Sequence, residues 1–126
     1  MKRAERDKQA EQLTIKAYDL AEKGQIALAV KTYRRAARMG FEPAMNNLGN
    51  LLDDTVRPSK PMEAVYWYKR AVRRGSCGGA YNLAVHYKSL GQRRWQTHWL
   101  KVAAKLGDPD AKAELRKLKQ AKRQTS

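Results

Sequence analysis

YRRAARMG at 33–40, YKRAVRRG at 68–75 and LKVAAKLG at 100–107 are three versions of one segment ending, and their register decides the fold. The closing glycines, Gly40, Gly75 and Gly107, lie 35 and 32 residues apart. A repeat of this period, with each copy ending in glycine, is what stacked helical hairpins look like in sequence. A unit that short cannot bury its apolar face alone, so neighbouring units must stack and share a core.

Outward from the glycines, Ala29, Tyr33, Ala36 and Ala37 match Ala64, Tyr68, Ala71 and Val72, and then Gln96, Leu100, Ala103 and Ala104. Positions i, i+4 and i+7 share one helix face, so each copy carries a buried stripe. Small residues along it let a partner helix approach closely. These second, or B, helices are predicted at about 25–39, 61–74 and 92–106. The A helices before them place Ala17 and Leu20 ahead of Gly24, Leu48 and Gly49 ahead of Leu52, and Leu83 and Ala84 ahead of Tyr87 and Gly91. The excess length of the middle unit falls in DDTVRPSKP at 53–61, where Pro58 and Pro61 forbid a continuous helix and mark a lengthened turn.

The resulting division is a charged extension of the first helix at 1–12, three repeats at 13–40, 41–75 and 76–107, and a basic capping helix and tail at 108–126. Asp108 is placed to cap that last helix. The segment GSCGGA at 75–80 predicts a looser helix start, because glycine costs about 1 kcal/mol against alanine inside a helix.

The pattern A-x-x-x-L-G-x-x-L at Ala44–Leu52, followed by AVYWYKRAVRRG at 64–75, resembles the Sel-one-like repeat, a relative of the tetratricopeptide repeat. The likeness runs over roughly 13–111, with Lys16 standing where leucine is expected and Gln96 where alanine is. The resemblance implies an all-α fold: a right-handed α-solenoid of three antiparallel helix pairs plus a C-terminal capping helix. It also implies A helices lining a concave face, and adaptor or assembly roles rather than catalysis. In the repeat register the groove residues would be Tyr18, Asn46, Asn50, Asp53, Tyr81, Val85 and Lys88. Asparagines there could bond an extended peptide backbone, and tyrosines could supply rigid contact area with a polar tip.

The chain has 126 residues, 42% of them hydrophobic, and a formal net charge of +15. Its mean hydropathy is −0.81, which a thin repeat fold with much surface tolerates. One cysteine, Cys77, excludes an intrachain disulfide and points to a reducing compartment. The opening MKRAERDKQAEQ has no apolar h-region, and no run approaches the roughly 20 apolar residues of a membrane span. A cytoplasmic protein without a membrane span is the expectation.

The charge is unevenly placed. Segments 25–40, 60–75 and 91–107 each carry +4, whereas 1–24, 41–59 and 76–90 carry +1, −2 and +1, and the last 19 residues +3. Within the B helices Arg34, Lys69 and Lys101 are equivalent, as are Arg38, Arg73 and Lys105, with Arg35, Arg70 and Arg74 beside them. Each equivalent pair is i, i+4 and shares a helix face. Two readings stand together. Lysine and arginine favour helices and keep a protein soluble; alternatively, this basic face meets an acidic partner protein or, as a second possibility, the phosphates of a nucleic acid.

Other residues carry less. Trp67 and Trp99 are equivalent and are expected to pack between repeat units, Trp95 is expected to pack, and Tyr66 to be partly exposed. His86, His98 and Cys77 lack metal-ligand spacing, so no metal or cofactor is expected. No nucleophile lies beside a histidine in a way that suggests catalysis, so the reading is of a non-enzyme acting as a monomer or weak oligomer.

Overall fold

The glycines that set the period end the helices. A computed structural model describes residues 2–125. Their helices are α1 (Arg3–Glu22), α2 (Ile26–Arg38), α3 (Glu42–Asn50), α4 (Pro61–Arg73), α5 (Cys77–Ser89), α6 (Arg93–Lys105) and α7 (Pro109–Thr125), and no strand occurs among the described residues. At the end of α2, Gly40 takes φ +91°, a left-handed conformation that side chains with a Cβ avoid. Its N–H donates to the Ala37 carbonyl at 2.9 Å and the Phe41 N–H to Ala36 at 3.3 Å. The end of α6 repeats this at Gly107, φ +105°, with Gly107 N–H to Ala104 and Asp108 N–H to Ala103, both 3.0 Å. Both are Schellman caps, which satisfy the orphan carbonyls and turn the chain sharply. Each next helix therefore starts after three residues and folds back on the one before. The fold is all-α, with helices packed on their neighbours in chain order within each unit.

The chain divides into two compact units, one up to Ala71 and one from Val72. In the first, α1 packs on α2 and α2 on α3. Its core is rich in alanine: Ala17, Ala29, Ala36, Ala44 and Ala64 are fully buried, with Met45, Leu48 and Leu52 filling the larger spaces. The α4 residues of this unit close over α3 at Gly49. A Cβ there would lie 2.4 Å from Cε1 of Tyr68, so only glycine admits the ring. The buried Tyr68 hydroxyl donates to Asn50 Oδ1 at 2.7 Å. In the second unit α5 pairs with α6, and α7 packs on α6. Ala80, Ala84, Leu100, Ala103 and Ala111 form its core, with Val72, Trp99, Leu115 and Leu118 partly buried against it.

Three local findings correct or sharpen the expectations. The lengthened middle turn begins as a π-helical turn, Leu51–Thr55, in which the Val56 N–H reaches the Leu51 carbonyl at 2.8 Å. Widening the helix absorbs part of the extra length before Pro61 starts α4. The glycine-rich start of α5, expected to be loose, is anchored: Ser76 Oγ accepts from the Gly79 N–H at 2.9 Å. Asp108 does cap α7, its Oδ1 accepting from the Asp110 N–H at 2.9 Å.

Candidate interaction surfaces

In the first unit the basic residues separate into engaged and exposed ones. Arg34 on α2 meets Glu63 on α4 with two parallel bonds, Nε to Oε2 and Nη2 to Oε1, each 3.0 Å. Trp67 Nε1 donates to the same Oε2 at 3.0 Å. Burial pushes the Glu63 carboxyl up, but these two donors and the Arg34 charge outweigh it and hold the group below its ordinary value. Arg34 was expected in the basic face; its charge is instead matched inside the unit. Arg70 lies over the Trp67 ring at 5.4 Å and donates to the Tyr66 hydroxyl at 3.0 Å. Tyr66 is half exposed, as expected. Arg35, Arg38 and Lys69 are exposed.

Among the groove residues of this unit, Tyr18 is 57% exposed, so its phenol can meet a ligand. Asn46 donates to Glu42 on its own helix at 2.8 Å. Asn50 holds the Tyr68 hydroxyl and so braces α4 against α3. Burial, and then the charges of Asp53 and Asp54, push the Tyr68 phenol well above its ordinary value. Asn50 is thus engaged by Tyr68 and serves the fold, with the Asp53 charge acting on the same phenol.

In the second unit the Tyr81 hydroxyl donates to Glu114 of α7. That bond, followed by burial, pushes the phenol up to about 12. Lys88 and Glu114 line one concave region of about 520 Å³, together with Arg93, Gln96, Lys117 and Leu118. Tyr81 is thus tied to α7 through Glu114, Lys88 lines the same region, and Val85 is 48% exposed on α5. A second groove of about 480 Å³ runs between α6 and α7, lined by Arg93, Thr97, Lys101, Leu115, Leu118, Lys119 and Lys122. Arg73, Arg74, Lys101 and Lys105 are exposed.

Trp95, expected to pack, is 46% exposed. The reason is its place on the outer side of α6, where it leans on Tyr87 and meets His98 edge-on, with ring centres 6.2 and 5.7 Å away. The part of the surface missed at the level of sequence is α7. Its Leu115, Leu118, Lys119 and Lys122 fall at i, i+3, i+4 and i+7, a helix-face spacing that could have marked it as more than a cap. Among the described residues no group of three or more His, Cys, Asp or Glu is arranged to hold a metal. No helix among the described residues is long and apolar enough to cross a membrane.

No protein-family model matches the chain. A stretch of 64 residues, 51% of the chain, is 38% identical to F-box protein At1g70590 of Arabidopsis thaliana. It spans 18% of that protein's length.

Proposed function

We propose that the protein is a non-catalytic interaction module of the Sel-one-like repeat type, which binds an acidic partner protein. The observation that carries this reading is the set of exposed cations on the B-type helices, Arg35, Arg38 and Lys69 in the first unit and Arg73, Arg74, Lys101 and Lys105 in the second. Like-charge neighbours one turn apart disfavour a helix by a few tenths of a kcal/mol each, and an acidic surface would relieve them. The half-exposed Tyr18 and Val85 add contact area on the A-type helices. The stretch of 64 residues that resembles the F-box protein is close in length to two periods of this repeat. A reducing cytoplasmic setting suits the single cysteine, and a monomer or weak oligomer suits a module of this size.

A second reading has its own support. Arg70 over Trp67 and the half-exposed Tyr66, and Arg94 at 6.0 Å from the Trp95 ring, are aromatic–cation pairs of the kind that stack bases in single-stranded nucleic acid. Capture from native lysate with and without nuclease separates the two. Under the first reading the captured protein survives nuclease and is lost from the Arg35→Glu, Arg38→Glu and Lys69→Glu triple variant. Capture abolished by nuclease, with affinity falling steeply as salt rises, would replace it with the second.

A further inference from the structure

The first unit shows how a pair of these helices receives the next one. There α4 lies over α2 and α3: Glu63 bonds Arg34 at 3.0 Å, and Tyr68 covers Gly49 and bonds Asn50 at 2.7 Å. Aligned on the closing glycines, Ile26, Val30 and Arg34 of α2 correspond to Arg93, Thr97 and Lys101 of α6. Aligned on Ala44 and Ala111, Leu48 of α3 corresponds to Leu115 of α7. In the second unit Lys101, the equivalent of Arg34, and Leu115, the equivalent of Leu48, line the groove of about 480 Å³.

Its walls have the chemistry of a docking slot. Arg93, Thr97 and Lys101 stand at i, i+4 and i+8, facing the stripe of Leu115, Leu118, Lys119 and Lys122. At 1.5 Å per residue the two stripes run side by side for about 12 Å, a little over two helical turns. Leu115 and Leu118 make an apolar floor joined to the core. Among the described residues, Arg93, Lys101 and Lys119 supply the rim with Lys122 at its end, and no carboxylate is in the lining. A phosphate backbone would leave the leucine floor against solvent or charge, which disfavours a polyanion. An apolar stripe flanked by carboxylates satisfies both parts at once, and this is how an amphipathic helix fills a groove.

We propose that the α6/α7 groove receives an acidic amphipathic helix of a partner protein, with a carboxylate meeting Lys101 as Glu63 meets Arg34. This rests on the interaction-module reading and specifies the surface and the chemistry of the partner.

The probe is a fluorescent, end-blocked helical peptide of about 16 residues with leucines at i, i+4 and i+7 flanked by glutamates. Its scrambled isomer and an oligothymidine are the controls, each titrated against the full chain by anisotropy at about 150 mM salt. The helix should bind, with the scrambled isomer and the oligothymidine at least about tenfold weaker. Lys101→Glu with Lys119→Glu should weaken the helix about tenfold or more, and Thr97→Trp, which fills the groove without changing charge, should do the same. Lys16→Glu with Lys31→Glu, exposed on the first unit and outside the groove, should leave it within about twofold. Equal binding of the scrambled peptide or oligothymidine, normal binding by Thr97→Trp, or no saturable binding overturns the proposal. So does self-association abolished by the same groove variants, which would make a second copy the occupant. Lysate capture lost only in the Arg35, Arg38 and Lys69 variant would sink the groove and leave the general reading standing. Peptide binding without any lysate capture would do the opposite.

Discussion

Glu63 answers three donors on two neighbouring helices: Arg34 twice and Trp67 once. Its carboxyl is held below the ordinary glutamate value even though burial alone would raise it. A carboxyl depressed in the folded state stabilises the protein above its unfolded pKa, and that stabilisation is lost as pH falls through the folded value. The bidentate, partly exposed pair is worth about 1 kcal/mol. Glu63→Gln should therefore melt a few degrees lower than the parent at neutral pH, with the gap narrowing as acid protonates the parent's carboxylate. Melting followed by circular dichroism checks this, and a gap that does not change with pH would mean the residue matters through packing instead. None of this was legible from Glu63 in the sequence. Arg34 reads along its own helix as one cation among several, and its partner lies 29 residues away.

At the scale of the element, helix ends were the most legible feature. A Schellman cap and an aspartate cap need only residues within a few positions of each other, so Gly40, Gly107 and Asp108 announce themselves. The start of α5 was less clear, because glycine propensity alone argues for disorder and the Ser76 cap works against it. Ser76 is buried, and its hydroxyl satisfies the Gly79 N–H. Ser76→Ala should cost about 1 kcal/mol, and Ser76→Asp should recover most of it. A urea midpoint that falls at unchanged slope is the expected result; no change in midpoint would mean that water replaces the cap without loss. The π-helical turn at Leu51–Thr55 left no signal of its own, since proline and extra length predict an interruption but not its geometry.

For the molecule as a whole, 27 basic residues against 12 acidic ones leave a self-repelling surface. Raising salt from about 10 to 150 mM shortens the screening length from about 30 to 8 Å. The melting temperature should rise over that range, read by calorimetry. A fall would show that attractive pairs such as Arg34–Glu63 outweigh the repulsion. By itself the sequence determined the helical class, the repeat period, the points where helices stop and the concentration of positive charge on every second helix. Each depends on residues close in the chain, where spacing translates directly into a helix face or a cap. Only the tertiary structure decided which of those groups still face a partner. Arg34 is matched by Glu63, Asn50 is tied to Tyr68 18 residues on, and Tyr81 reaches Glu114 33 residues on, whereas Lys101 lines a groove with α7. Pairings across helices depend on how whole faces pack, and spacing along a single helix does not specify that.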